Sequence, residues 1–319
     1  MRDKNINQRF HKATLLKTLQ DSLSHVLENP KWHSKRVDFT AVLQSAPVIL
    51  EQSSDSENTW SDELAVQLWT NLLQPSTGQE EIMNLDVITI PCPTEERPFL
   101  RTQKNSPTER EGRASTLTDP IMGTEIPCTD RIPSPTTPTS VHKLRPGDIK
   151  VVAAVGDSLT AGNGVGAKAD NLLLVMSEYR GLSWSIGGDE NITTVTTLPN
   201  ILKEFNPSVT GFSTGIGNQN TAGAFLNQAV AGAKSGDMVQ QVRVLVDKMK
   251  TDSRIDFHND WKVITMFIGG NDICDFCTDS IFFSPRNVVD RIRQALDILH
   301  SEVPRAIVNL FNLPLHTEA

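Results

Sequence analysis

A serine hydroxyl becomes a useful nucleophile where a strand ends abruptly and a turn lifts it to within reach of a base and a carbonyl carbon. Ser158 is set for that chemistry. It follows the apolar run Val151-Val152-Ala153-Ala154-Val155 by way of Gly156-Asp157, a strand-then-turn pattern that leaves the hydroxyl at a sheet edge. The tetrapeptide Gly156-Asp157-Ser158-Leu159 is also an ordinary way to end a buried strand without chemistry. A second apolar run, 263–268, ends in Gly269-Gly270-Asn271-Asp272, and in an open α/β sheet sites form at the carboxyl ends of strands. Between the two lies Asn227-Gln228-Ala229-Val230-Ala231-Gly232-Ala233, where a glycine amide adds a donor. Taken without further context, Gly232 also fits as a close-packing glycine and Asn271 as a turn-capping asparagine.

In this order the three segments resemble the GDSL family of SGNH hydrolases. More narrowly, Leu144-Arg145-Pro146-Gly147-Asp148-Ile149-Lys150 before the turn, Thr160-Ala161-Gly162-Asn163-Gly164 after it, and Gly269 through Cys277 look like the multi-repeat membrane phospholipases B. That resemblance covers residues 144–319 specifically and 1–75 more loosely. It implies an SGNH-hydrolase-like α/β fold, a parallel sheet between flanking helices in three layers. It also implies acyl esters of phospholipids or lysophospholipids as substrates, no metal or organic cofactor, and an apical plasma-membrane or extracellular setting. Carried over residue by residue, Ser158 attacks the ester carbonyl, while its own amide, the Gly232 amide and the Asn271 side-chain amide stabilise the oxyanion. Each such donor, fixed in a partly dry pocket, is worth about 10²–10³ in rate.

The resemblance also calls for an Asp-x-x-His block near the end of the domain, in which His takes the serine proton and Asp orients the ring. Three histidines follow Ser158. His258 lies in a polar turn at the start of the second strand, the end away from Asn271. Asp297-Ile298-Leu299-His300 has the spacing, but it falls on a helix whose apolar stripe is Val288, Val289, Ile292, Leu296 and Leu299, so the match reads as a solvated face. His316 is the fourth residue from the end. In the N-terminal portion the corresponding segment, 51–60, holds no histidine, and His33 reads as a surface residue. The expectation is therefore a C-terminally truncated hydrolase domain with no general-base His or partner Asp, and little or no esterase activity. A reading from another class is a non-catalytic lipid- or partner-binding fragment or regulatory splice product.

Around these residues the chain alternates strand and helix: strand 150–155, helix 239–249, strand 263–268, helix 285–301, strand 306–311. Such alternation implies a parallel sheet with helices on its faces. Upstream come an apolar-striped helix over 11–28, a short strand within 36–44 and a helix over 62–73, too few elements to bury a core alone. These residues either stay partly disordered or dock on the second portion. Ten of the 18 prolines fall between Pro91 and Pro146, so 76–143 reads as a Pro/Ser/Thr-rich linker contributing little core. The division expected is thus 1–75, the remnant of a degenerate repeat; 76–143, the linker; and 144–319, the hydrolase portion.

A net charge of -8 without a Lys/Arg stripe argues against nucleic acid. No apolar run reaches the ~20 residues that span a bilayer, and the start does not read as a signal peptide; a membrane surface is implied by family alone, and the oligomeric state is open. The four cysteines pair as Cys274 with Cys277 and Cys92 with Cys128. With the sequon Asn191-Ile192-Thr193 they suggest an oxidising, glycosylating setting. The Cys274-Asp275-Phe276-Cys277 spacing also allows a redox pair, although it does not open a helix after a strand in the thioredoxin manner, and a second paired ligand set for zinc is absent.

Overall fold

The computed structural model describes residues 2–44, 59–73, 90–105, 125–167 and 172–313. The elements run α1 (Arg2–Leu27), β1 (Phe39–Gln44), α2 (Thr59–Leu73), β2 (Ile149–Gly156), α3 (Ser158–Ala161), α4 (Leu198–Lys203), α5 (Met238–Thr251), β3 (Trp261–Phe267), α6 (Gly270–Asp275), α7 (Pro285–Glu302) and β4 (Ala306–Phe311). Every residue of β3 and β4 is buried, and Lys150 alone breaks the burial of β2. Near-continuous apolar runs of this kind need cover on both faces, as parallel sheets have. The sheet is parallel throughout, in the order β1-β4-β3-β2. Helices α1, α7 and α5 pack side by side against it, and α2 packs with α4, giving the three-layer α/β/α arrangement.

The helices follow from local chemistry. Pro285 occupies the first turn of α7, where its missing N–H has no partner to lose. Val288, Val289, Ile292, Leu296 and Leu299 are buried along one face. The buried face of α5 is Met238, Val242, Leu245, Val246 and Met249, with Gln241 buried among them.

Residues 2–44 dock rather than stay apart. β1 extends the sheet beyond β4 in register from Phe39 opposite Ala306 to Gln44 opposite Phe311. α1 lies on α7, burying Leu16, Leu19, Leu23 and Leu27.

The proline-rich stretch contributes more core than its composition suggests. Ile90, Leu100, Ile126, Cys128 and Val141 are buried. Its backbone is tied down at several points: Trp69 Nε1 donates to Pro91 O at 2.8 Å, Leu100 N to Leu144 O at 2.6 Å, and Val141 N to Val37 O at 2.8 Å. Prolines remove donors and local periodicity, yet an extended chain can still bury alternate side chains. A Cys92–Cys128 disulfide closes this stretch across 36 residues.

The second expected pair does not form: Cys274 and Cys277 are both free and exposed. They lie on α6 and the turn after it, which Ile273 N to Gly269 O and Phe276 N to Ile273 O already hold. Closing so short a loop restricts the unfolded chain by only about 2 kcal/mol in the chain-entropy view, against about 4 kcal/mol for the longer one.

Candidate active site

β2 is flanked on one side by β3 and on the other by the segment 226–230, which runs beside it like a further short strand. Gln228 N donates to Ala154 O at 2.9 Å and Val230 N to Gly156 O at 3.1 Å, and Ala154 N donates to Leu226 O at 3.1 Å. Gly156 pairs with Phe267 across β2 and β3. Three chain ends therefore emerge together at the carboxyl edge of the sheet: Ser158 two residues beyond Gly156, Gly232 two beyond Val230, and Asn271 four beyond Phe267. The structure brings the three sequence-predicted residues to one edge, with Ser158 in the middle.

Local geometry fixes the serine. A Cβ on Gly156 would stand 2.6 Å from both Phe267 O and Thr160 Oγ1, so only glycine lets the two strand ends close at that point. Asp157 caps the short helix α3 by accepting from Leu159 N at 3.0 Å, which leaves Ser158 as the first helical residue, partly exposed. Gln241 on α5 closes a two-point clamp on Gly156: Gly156 N donates to Oε1 at 2.8 Å and Nε2 donates to Gly156 O at 2.9 Å.

The two loops that bear Gly232 and Asn271 are locked to each other. Asn271 Nδ2 donates to Ala233 O at 2.9 Å, which uses one of its two hydrogens and leaves the other for an acceptor in the site. Ser235 donates through N at 2.9 Å and Oγ at 2.6 Å to the Asp272 carboxylate, and Lys234 pairs with Asp275 at 2.9 Å. Gly232 holds φ 77°, a left-handed conformation that glycine adopts without strain, and it is exposed. Asp157, 4% exposed, has its carboxyl pushed up to about 6 by burial, the nearby Asp272 adding to the effect. Burial raises Asp272 as well.

None of the described histidines stands with Ser158. His33 bonds Thr40 Oγ1 at 3.1 Å and Leu27 O at 2.7 Å, and is buried rather than on the surface. His142 bonds Thr102 Oγ1 at 2.8 Å. His300 packs edge-on against Trp32 and Phe39, and burial next to Arg36 holds its ring below the usual value. His258 is exposed three residues before β3, and His25 pairs with Glu28. Thr40, Phe39 and Trp261 mark the amino ends of their strands; at about 3.3 Å per residue that end lies roughly 17–23 Å from the serine's. The side chain of His11, His316 and segment 51–58 lie outside the described residues.

Asn191 is exposed, and its Oδ1 accepts from Thr193 N at 3.0 Å and Thr193 Oγ1 at 2.6 Å. Eight large apolar side chains are exposed among the described residues, among them Leu159, Val175, Met176, Ile216, Ile281 and Phe282. Val175 lies against Gly164, while Arg291 covers the Phe282 ring at 3.7 Å and reaches Ser235 Oγ at 3.4 Å. No helix among the described residues is long and apolar enough to cross a membrane.

Sequence reasoning passed over Gln241, Asp272, Ser235 and Arg180. Gln241 had a signal, a lone amide at an apolar-stripe position of α5; Asp272 lay within a motif already singled out. Arg180 had none.

The family described as GDSL-like Lipase/Acylhydrolase matches residues 152–317. Phospholipase B1, membrane-associated, of Mus musculus is 48% identical over 305 residues, covering 94% of this chain and 20% of that protein. The protein of the same name from Homo sapiens is 48% identical over 309 residues, with 95% and 21% covered. That from Rattus norvegicus is 45% identical over 311 residues, with 96% and 21% covered. The chain thus spans about a fifth of the length of these relatives. No solved structure matches it.

Proposed function

This chain belongs to the GDSL-like lipase/acylhydrolase family, and we propose that its carboxyl-edge site is a phospholipase B-like acyl-ester hydrolase site. Ser158 is the nucleophile; its own amide, the Gly232 amide and the second Asn271 Nδ2 hydrogen receive the oxyanion. The observation that carries this reading is the Asn271–Ala233 bond, which ties the asparagine donor to the loop bearing the glycine donor with the serine between them. The exposed Leu159 next to Ser158 and the exposed Val175 against Gly164 suit acyl chains of phospholipid or lysophospholipid, in keeping with the relatives' name.

Proton transfer is the weak step. With every described histidine placed away from the serine, the serine has no imidazole among the described residues, and turnover is slow. In the same reading, residues 1–75 derive from a degenerate repeat whose strand completes this sheet, 144–319 form the hydrolase portion, and Asn191 is a glycosylation site. A lipid-binding role without turnover is the second reading, favoured by the same lack of a described base.

Hydrolysis of lysophosphatidylcholine, with Ser158→Ala as the blank, tests the first reading. The expected result is a Ser158-dependent rate well below ~1 per second, slow against ordinary enzymes. Equal rates for wild type and Ser158→Ala leave only the lipid-binding reading, and a Ser158-dependent rate of ~10–10³ per second would overturn the claim that a base is wanting.

A further inference from the structure

Backbone groups along an extended segment alternate in direction, and only one set can face a given neighbour. In 226–230 the inward set is spent on β2. The carbonyls of Asn227 and Ala229 point the other way, where no strand follows among the described residues. Left unpaired, buried carbonyls cost about 1–3 kcal/mol each. Arg180 takes both: Nη1 donates to Asn227 O at 2.9 Å and Nη2 to Ala229 O at 2.7 Å. Nε donates to Gly217 O at 2.6 Å, and Nη2 also meets the Glu178 carboxylate at 2.8 Å. The side chain is wholly buried, and the carboxylate with three carbonyl dipoles compensates its charge.

We propose that Arg180 is a positioning residue for oxyanion stabilisation: by standing in for the missing outer strand, it fixes the segment that presents the Gly232 amide to Ser158. Its planar fork is what permits this. A lysine keeps the charge but gathers its donors at a single nitrogen, whereas Arg180 spreads these bonds over the three nitrogens of a rigid fork. The inference rests on the reading of Gly232 as a donor, and no part of Arg180 touches the reacting atoms. Glu178 pairs with Asn163 in an isolated bridge, so the same guanidinium also joins the donor segment to the rim beside α3.

The test uses the full chain, with hydrogen exchange and the rate of Ser158 phosphonylation by a fluorophosphonate measured together. For Arg180→Lys, exchange in peptides covering 226–234 is expected to rise at least ~10-fold while peptides of β2 and β3 keep their protection. The phosphonylation rate at saturating probe should fall ~10–100-fold, part of the ~10²–10³ attached to a whole donor, with the half-saturating concentration within ~3-fold of wild type. Glu178→Gln leaves the carbonyl bonds in place but removes one compensating charge from a buried guanidinium, so it should slow labelling by less than Arg180→Lys does. Unchanged exchange in 226–234, unchanged labelling, or a loss with Glu178→Gln as large as with Arg180→Lys would overturn the proposal. Loss of protection throughout β2 and β3 would also overturn it, as the mark of a residue serving the whole fold. Absence of labelling in the wild type would instead sink the reading of the site, while the exchange result would still decide whether Arg180 holds the segment.

Discussion

Asp157 sits one residue from Ser158 in a place that penalises its charge. Its ordinary value of 3.8 is pushed up to about 6, so ionisation is harder in the folded chain than in the unfolded one. The resulting destabilisation is absent below pH ~4, grows as pH rises through about 6, and is complete above it, at about 3 kcal/mol for a shift of two units. Asp157→Asn keeps an oxygen for the Leu159 N–H and loses the charge. Urea unfolding should therefore show the variant more stable by about 1–3 kcal/mol at pH 8 and little changed at pH 4; an equal gain at both would refute the assignment. Retaining such a penalty beside a serine fits a functional position more than a structural one. Gly156→Ala is expected to fail differently, since its Cβ would meet Phe267 O, a backbone atom that cannot swing aside. Overpacking of that kind costs about 1–3 kcal/mol and should slow phosphonylation of Ser158; a variant of wild-type stability and labelling would show that the strand ends can part. Ser158, Gly232 and Asn271 became candidates only through the resemblance of the segments that carry them to a known family, and Arg180 had no such signal. Its meaning depends on four acceptors up to 49 residues away, which no local pattern announces.

At the scale of elements, α5 does more than cover the sheet. Its buried stripe places Gln241 against the last residue of β2, where a side-chain amide replaces a neighbouring strand. Gln241→Leu keeps the volume and strands the Gly156 N–H, while Gly156 O still receives Val230 N. The expected loss is about 2–3 kcal/mol, read as a lower denaturation midpoint at unchanged slope. Gln240→Leu on the exposed face should move stability by no more than about 0.5 kcal/mol, and equal effects at the two positions would remove the clamp from the account. Elements with strong periods, α5, α7, β3 and β4, could be read from the chain because burial of one stripe or of a whole run dictates them. The stretch from α3 to α5 could not. It is built of short 3₁₀ turns and isolated bridges such as Ala154 with Asn227, and bonds such as Ser183 Oγ to Thr160 O and Asn227 Nδ2 to Thr160 O set its course instead of any repeat.

For the molecule as a whole, the decisive contact joins the two ends of the chain. β1 pairs with β4 over six residues, Arg305 N donates to Asp38 Oδ2 at 3.1 Å across 267 residues of sequence, and Leu19 and Leu23 are buried in the same core as Ile307 and Leu310. Composition could say that residues 1–75 lacked a core of their own, but not which sheet edge would receive them, since register is decided by side chains remote in sequence. Strand pairing and core burial, not chain continuity through the proline-rich stretch, should then hold the halves together. A protease site placed within 106–124 and cut would leave two pieces still linked by Cys92–Cys128. Reduction removes that link and leaves the β1–β4 ladder and the buried face of α1 as what joins the two pieces. The cut and reduced protein should elute at the size of the intact chain, unfold in one cooperative transition at a lower midpoint, and separate only with denaturant. Release of the N-terminal piece by reductant alone, with the remainder still folded, would show that β1 is an appendage to a sheet able to close without it.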